Sequence, residues 1–261
     1  MEHVKPGHWP RDYFGEAYLD IYSKHLYDKK EISREVDFVI NVLGLKKNHR
    51  ILDLACGFGK HIVFFLRKGL RCHGLDISLP YLRYAREKIP RSRLKKSGLA
   101  RGDMRALPFM DGCFHAVVCL FNSFGYFPKE SPDPHLATLR EVRRVLKRGG
   151  SFFLEVPNKK PVLEMLRHTP QTLQCGPHFM IHELWDYEPS EKILYNKSTF
   201  NIKGAETQAG YQLRLFTRGE MKSLFNRAGL RLEKCFGDYD GFPYSVSASP
   251  HLIAVGGKSG G

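Results

Sequence analysis

The sequence of 261 residues predicts an α/β protein in which helices cover both faces of a seven-stranded, mostly parallel sheet. The first observation behind this prediction is that short apolar segments alternate with amphipathic helical segments over residues 50–156, and again after residue 215. The second is that residues 114–121 are almost entirely apolar, as expected of a strand that is buried on both faces. The strands predicted for this sheet are 50–55, 70–76, 99–103, 114–121, 151–156, 231–236 and 251–255.

Helices are predicted before and between these strands. Segment 31–43 is amphipathic and ends before Gly44, because glycine favours the residue just past a helix. Thr217 and Glu220, three residues apart, are the signature of a capping box at a helix N-terminus. The other predicted helices are 62–68, 80–88, 134–146 and 161–167.

Residues 159–214 interrupt the α/β pattern. Three segments in this region alternate apolar and polar residues, with turn-forming residues between them. They are 179–187, 192–203 and 208–215. This pattern predicts a small antiparallel sheet inserted into the α/β domain.

Charge is the unusual feature of the composition. The chain has 41 Lys and Arg against 27 Asp and Glu, a formal net charge of +14, which attracts anions such as nucleic acid. The basic residues are dense over 83–105, where both a solvated helix face and a binding patch remain open. The six cysteines are scattered, which argues against a disulfide framework and against a Cys-rich zinc site. No apolar run is long enough for a membrane helix and the N-terminus lacks an apolar signal core, so a cytoplasmic location is expected.

A glycine-rich turn follows the first predicted strand. Asp53 lies just before that turn, Gly57 and Gly59 allow the chain to turn tightly, and Asp76 ends the next strand about twenty residues later. A carboxylate at that position can accept both hydroxyls of a nucleoside ribose, so the spacing indicates a nucleoside-containing ligand at the carboxyl edge of the sheet.

Two kinds of nucleotide ligand fit this pattern. A dinucleotide loop has a third glycine, and Ile62 stands at that position here. Asp53 would repel a pyrophosphate but suits an ammonium group. S-adenosylmethionine, with an amino acid at one end and adenosine at the other, therefore fits better than NAD.

The ordered motifs resemble those of class I S-adenosylmethionine-dependent methyltransferases, which have a Rossmann-like fold. The resemblance runs from about residue 50 to residue 158 and resumes at residue 215. Its motifs are Ile51-Leu52-Asp53-Leu54-Ala55-Cys56-Gly57-Phe58-Gly59, Gly74-Leu75-Asp76-Ile77-Ser78, Arg101-Gly102-Asp103-Met104, Phe121-Asn122-Ser123-Phe124-Gly125-Tyr126-Phe127 and Leu146-Lys147-Arg148-Gly149-Gly150. They are specific for the cofactor and the fold, and they do not specify the substrate.

The resemblance implies a role for each matching residue. Gly57 and Gly59 would lie under the methionine moiety, Asp76 would hold the ribose, and Asp103 would accept the adenine amine. The remaining residues expected at the cofactor are Asp53, Ile77, Ser78, Met104, Phe121 and Asn122, together with Trp9, Tyr13 and Tyr18 of an aromatic N-terminal helix. Asn122 is not followed by the Pro-Pro of many methyltransferases that act on base amines, which argues against that reaction.

The methyl acceptor and its activation stay open. An amine needs only to arrive deprotonated, whereas a hydroxyl or a carbon acid needs a base. Candidate catalytic residues are His178, His182, Tyr239 and Tyr244, and no metal is expected. A small-molecule substrate, with methylation at N, O or C, is the favoured hypothesis. An RNA-directed methyltransferase and a non-catalytic cofactor-binding protein are the alternatives, and a monomer or a homodimer is expected.

The same resemblance divides the chain into three parts. Residues 1–44 are expected to be a helical lid, and residues 45–158 with 215–258 the cofactor-binding core. Residues 159–214 are expected to cover the substrate. Aromatic faces attract cations such as a sulfonium, which is why the aromatic N-terminus is expected to close over the cofactor.

Overall fold

The computed structural model describes residues 19, 28–127, 133–166, 171–174, 179–202 and 204–259. Eleven strands lie in this part of the chain: β1 Arg50–Leu54, β2 Arg71–Asp76, β3 Gly98–Arg101, β4 Phe114–Cys119, β5 Leu146–Pro157, β6 Gln171–Gln174, β7 Phe179–Glu188, β8 Ile193–Ile202, β9 Ala205–Arg214, β10 Arg231–Phe236 and β11 His251–Gly257. The α-helices are α1 Lys29–Val42, α2 Lys60–Arg67, α3 Leu79–Lys88, α4 Pro134–Val145, α5 Lys159–Met165 and α6 Arg218–Arg227. Two 3-10 helices cover Arg91–Lys96 and Ser123–Tyr126.

Seven strands form the main sheet, in the order β10-β11-β5-β4-β1-β2-β3. Strands β1 to β5 pair in parallel, and β11 runs antiparallel to both β5 and β10. This arrangement confirms the predicted fold class. Because the parallel strands end at one edge, the residues after β1, β2, β3 and β4 are brought together there.

Helices bury both faces of the sheet. Phe152 and Leu154 of β5 pack on the face covered by α4 and α6, while Phe153 between them packs on the face covered by α1 and α2. Ile32 and Val36 of α1 belong to that second core and are almost fully buried. Helix α1 is therefore a fixed part of the core. Because it lies within residues 1–44, which were predicted to form a lid, any lid would have to end before Lys29.

The inserted sheet has four strands, in the order β6-β7-β8-β9, all antiparallel. Its three long strands confirm the predicted insertion. Strand β6 was not predicted, because four residues with little apolar patterning become a strand only by pairing with β7. Strand β9 begins at Ala205, so the turn before it is shorter than predicted.

Strand β5 is also longer than predicted, since it begins at Leu146. The Gly149-Gly150 turn expected before the strand lies within it, and the register with β4 shifts between Phe114 and Ala116. Helix α6 begins as predicted, with reciprocal capping-box bonds between Thr217 and Glu220. Over the described ranges, none of the helices is long and apolar enough to cross a membrane.

Candidate functional site

The glycine loop joins β1 to α2 at the carboxyl edge of the sheet. Gly57 and Gly59 have φ angles of +54° and +76°, and Gly59 is the residue at the N-cap of α2. A Cβ atom at Gly59 would lie 2.8 Å from the Cβ of Ala85 in α3. Glycine is thus required at residue 59 both by the left-handed backbone and by the close approach of α3.

Asp76, at the end of β2, holds this loop in place. Its Oδ2 accepts a hydrogen bond from the Gly57 amide at 2.7 Å, and its Oδ1 accepts one from the Ser78 amide at 2.8 Å. Burial raises the pKa of the Asp76 carboxyl, although these backbone bonds oppose the rise. Asp76, which is predicted to hold the ribose, is therefore hydrogen-bonded to the glycine loop that would lie beside the ribose.

Asp53, at the end of β1, is buried with one oxygen unused. Its Oδ2 has no hydrogen-bond partner among the described residues. Burial, with a further contribution from the charge of Asp76, raises the pKa of the Asp53 carboxyl to about 8. Asn122 Oδ1, at the same edge after β4, is likewise buried without a partner. Two orphaned acceptors at one edge suit a ligand that brings hydrogen-bond donors and positive charge.

The predicted adenine-binding turn follows β3. Burial opposes ionisation of Asp103, but hydrogen bonds and charge from Arg105 outweigh it and lower the pKa of the carboxyl. Arg105 Nη2 lies 2.8 Å from Asp103 Oδ2. Ile77, after β2, and Met104, next to Asp103, are partly buried. An adenine amine at Asp103 would share the carboxylate with Arg105.

Phe121 and Asn122 follow β4 in left-handed conformations, with φ angles of +59° and +64°. This backbone leaves the Phe121 side chain 47% exposed, an unusual exposure for a phenylalanine so close to a buried strand. The ammonium of Lys60, the first residue of α2, lies 2.8 Å from the centroid of the Phe121 ring. The ring predicted to flank a sulfonium therefore already contacts a cation.

Sequence reasoning missed the buried carboxylate that supports Phe121. Glu155 Oε2 accepts hydrogen bonds from the Phe121 amide at 2.9 Å and from the Tyr239 hydroxyl at 2.7 Å. Glu155 Oε1 lies 3.0 Å from Nδ1 of His251. Burial alone would raise the pKa of Glu155, but these partners lower it to about 2. The signal that could have found this residue is a single acid within the apolar strand 152–156.

A second buried pair lies beside this network. His61 Nε2 and Glu35 Oε2 are 2.8 Å apart, and both side chains are buried between α1 and α2. Burial lowers the pKa of the His61 imidazole, although Glu35 opposes this effect. The pair joins the helix before the sheet to the helix that follows the glycine loop.

Three of the four predicted catalytic candidates lie among the described residues, and each has a partner within the protein. His182 is exposed and contacts Thr172, on the face of β7 opposite to the buried Ile181. The hydroxyl of Tyr239 is committed to Glu155, and that of Tyr244 donates to Asn158 Oδ1 at 2.9 Å. His178 and the aromatic residues Trp9, Tyr13 and Tyr18 lie outside the described residues. Among the residues that the structure describes, no group of three or more His, Cys, Asp or Glu side chains is placed to hold a metal ion.

A protein-family model described as a methyltransferase domain matches residues 51–150, which contain the glycine loop, Asp76, Asp103 and Asn122. This match and the seven-stranded sheet confirm the resemblance seen in the sequence. Residues 51–150 thus match a methyltransferase domain, and the strand order of the main sheet gives the chain the class I methyltransferase fold.

Individual proteins agree with this assignment. The chain is 28% identical over 211 residues to a cypemycin N-terminal methyltransferase of a Streptomyces species, covering 78% of this chain and 82% of that one. The CcbJ methyltransferase of Streptomyces caelestis superposes with a TM-score of 0.80 at 21% identity, covering 94% of this chain and 98% of that one. An S-adenosylmethionine-dependent methyltransferase of Clostridium acetobutylicum gives a TM-score of 0.79 at 18% identity, covering 93% and 98%.

The pairing of Glu155 with His251 predicts a pH-dependent contribution to stability. Glu155 has a lowered pKa, so its contribution is present above its ordinary value of 4.5 and is lost as the pH falls towards about 2. Burial would lower the pKa of His251, but Glu155 raises it above 6.5, so that contribution is lost as the pH rises through the raised pKa. The pair should therefore stabilise the fold most between pH 4.5 and pH 6.5, the ordinary pKa values of a glutamate and a histidine.

The substitution Glu155→Gln tests this expectation. It removes a charge-assisted bond and should lower the free energy of unfolding by about 1.5–3 kcal/mol near pH 6. The difference from wild type should shrink as the pH rises, as measured by urea denaturation at several pH values. Glu206→Gln, at an exposed position of β9, is the control. If the difference in free energy of unfolding between the variant and wild type did not change with pH, the pairing of Glu155 with His251 would be contradicted.

Proposed function

We propose that this protein transfers the methyl group of S-adenosylmethionine to a nucleophilic atom of a small molecule. The observation that carries the proposal is the buried Asp53 carboxyl, whose Oδ2 has no hydrogen-bond partner among the described residues, beside a glycine loop that Asp76 holds in place. A dinucleotide would bring a pyrophosphate to this acid, whereas a methionine moiety brings an ammonium. The residues at the edge therefore fit S-adenosylmethionine.

The chain's own residues would position the cofactor rather than change its chemistry. When bound, S-adenosylmethionine supplies a methyl group on a sulfonium, which is already a good leaving group. Asp53 would accept hydrogen bonds from the methionine ammonium, and that cation would favour the ionised carboxylate. Asp76 and Asp103 would hold the ribose and the adenine, with Ile77, Ser78 and Met104 beside them. Holding two reactants in line lowers a barrier by roughly 7–11 kcal/mol, so alignment is the main requirement.

The inserted sheet stands next to the end of β4, where the methyl acceptor has to arrive. A Cβ atom at Gly125 would lie 2.6 Å from the Leu213 side chain of β9, so the 3-10 helix and the insertion are in close contact. The rings of Tyr126 and Tyr211 lie 5.3 Å apart, and those of Tyr211 and Trp185 5.6 Å apart. These contacts support the insertion as the cover of the acceptor.

Polar groups are buried on that same face of the insertion. Glu183 is buried, and its Oε1 accepts hydrogen bonds from Ser198 at 3.3 Å and Asn196 at 3.5 Å. Trp185 Nε1 and the Tyr187 hydroxyl are buried without hydrogen-bond partners among the described residues. A carboxylate with nearby unused donors suits an acceptor that carries an amine and a hydroxyl or carbonyl oxygen. An amine is also the acceptor class named for the cypemycin relative.

We further propose that the chain before Asp28 acts as the lid over the cofactor. Asp28 caps α1, since its side chain accepts a hydrogen bond from the Lys30 amide at 2.8 Å. The helix therefore begins at Asp28 with its own cap, and deletion of residues 1–27 leaves that cap in the chain.

Binding of S-adenosylhomocysteine and S-adenosylmethionine, measured by calorimetry, tests the cofactor site. Asp76→Ala should weaken binding at least about tenfold, because it removes charge-assisted hydrogen bonds and frees the loop. Gly57→Val should also weaken binding, because valine disfavours the left-handed backbone at that position. Asp111→Ala, at an exposed residue paired with Arg144, is the control. The proposal would be refuted if the wild-type protein bound NAD but bound neither S-adenosylmethionine nor S-adenosylhomocysteine.

The class of acceptor is tested by release of S-adenosylhomocysteine with a panel of small amines, acids and phenols. Turnover with amines, reduced by Glu183→Gln and unchanged by Glu206→Gln, is the expected result. An RNA-directed enzyme would instead bind tRNA or rRNA with a steep dependence on salt. A gel shift of RNA at physiological salt, without turnover of any small acceptor, would favour that alternative.

Deletion of residues 1–27 tests the lid. The truncated protein should remain folded by circular dichroism and should lose methyl transfer. In the full chain, S-adenosylhomocysteine should suppress proteolytic cleavage before residue 28. An unfolded deletion variant, or cleavage that the ligand does not change, would show that this segment is scaffold.

A further inference from the structure

The contact between Lys60 and Phe121 places a positive charge where the methyl donor's own charge is expected. Lys60 follows Gly59 directly, so the glycine loop and the lysine are fixed by the same turn. Its Nζ lies 2.8 Å from the centroid of the Phe121 ring. The Phe121 backbone is held by the hydrogen bond that its amide donates to Glu155. One aromatic face cannot stabilise two desolvated cations at once.

We propose that, in the ligand-free protein, the Lys60 ammonium occupies the face of the Phe121 ring that the sulfonium of S-adenosylmethionine requires. Lys60 thereby sets the preference between S-adenosylmethionine and its product S-adenosylhomocysteine, whose sulfur carries no charge. The inference rests on the proposed function. S-adenosylmethionine has to displace or deprotonate Lys60, whereas the neutral thioether of S-adenosylhomocysteine does not compete for the ring.

The electrostatic surroundings make loss of the proton feasible. Burial lowers the pKa of Lys60 to about 8, against the attraction of Glu35, Glu155, Asp53 and Glu31. The charged and titratable groups that interact with it come from α1, β1, α2 and β5: Glu31, Glu35, Asp53, His61 and Glu155. Asp76 acts in turn on Asp53, and Tyr239 and His251 act on Glu155. The acids hold a cation at this position, and either Lys60 or the sulfonium can supply it.

A comparison of the two ligands isolates this effect. Both carry the same methionine ammonium and the same adenosine, so the interaction of Asp53 with the ammonium is common to both and cancels in the ratio of their dissociation constants. An effect of Asp53 ionisation on the sulfonium would persist as a pH dependence in a variant that lacks Lys60. Only the sulfonium differs. The ratio for S-adenosylmethionine over S-adenosylhomocysteine should therefore report the charge of Lys60.

The experiment is calorimetric titration of both ligands between about pH 6.5 and pH 8.5. In wild type the ratio should rise roughly tenfold or more as the pH falls through the pKa of Lys60. Lys60→Met should give a low ratio that does not depend on pH. Lys60→Arg, which stays protonated, should give a high ratio over the whole range.

Three outcomes would overturn the inference. One is a wild-type ratio that does not change with pH. This outcome is measured on the wild-type protein alone, so it does not depend on the stability of any variant. Another is an equal loss of affinity for both ligands in Lys60→Met, since Lys60 would then hold the methionine carboxylate that they share. The third is failure of wild type to bind either ligand, which would also refute the proposed function; in the first two outcomes that function stands.

Discussion

The carboxyl edge of the main sheet depends on how buried negative charge is compensated. Glu35, Asp53, Asp76 and Glu155 are all buried there. A buried carboxylate destabilises the fold unless hydrogen bonds or a cation compensate for lost hydration. Each acid is treated differently. Glu35 contacts His61, Asp76 accepts two backbone amides, and Glu155 contacts a backbone amide, a tyrosine and a histidine.

Asp53 is the member of this set whose compensation is incomplete. One of its oxygens has no hydrogen-bond partner in the described part of the chain, and its carboxyl has a pKa of about 8. The nearest source of positive charge is Lys60, which lies over Phe121. An edge arranged in this way favours a ligand that brings its own positive charge. The two cations of S-adenosylmethionine, an ammonium and a sulfonium, match this requirement, whereas a pyrophosphate would add to the excess of negative charge.

The sequence predicted the parts of this edge that depend on backbone geometry. Glycines after one strand and an acid after the next are local signals, because the turn and the strand end are encoded within a few residues. The seven strands of the main sheet followed from the same kind of pattern. The Glu155 network was not predicted, because Phe121, Tyr239 and His251 are distant in sequence and meet only when β11 pairs with β5. The contact of Lys60 with Phe121 was missed for the same reason, since it joins the start of α2 to the end of β4. Strand β6 was missed because only its partner makes it a strand.

Part of the +14 charge lies at the opposite edge of the main sheet. Arg50 and Arg71 begin β1 and β2 and are neighbours in the parallel register, at the edge opposite to Asp53 and Asp76. They line a cavity of about 410 Å³ with Lys147 and His115. His115 accepts a hydrogen bond from the Arg50 amide and stacks on His49 with ring centroids 4.3 Å apart, at the edge away from the glycine loop. Burial, with the positive charge of Lys147 nearby, lowers the pKa of the His115 imidazole. Buried acids thus lie at the carboxyl ends of β1 and β2 and basic residues at their amino ends, so this part of the positive charge is separated from the edge that would hold the cofactor.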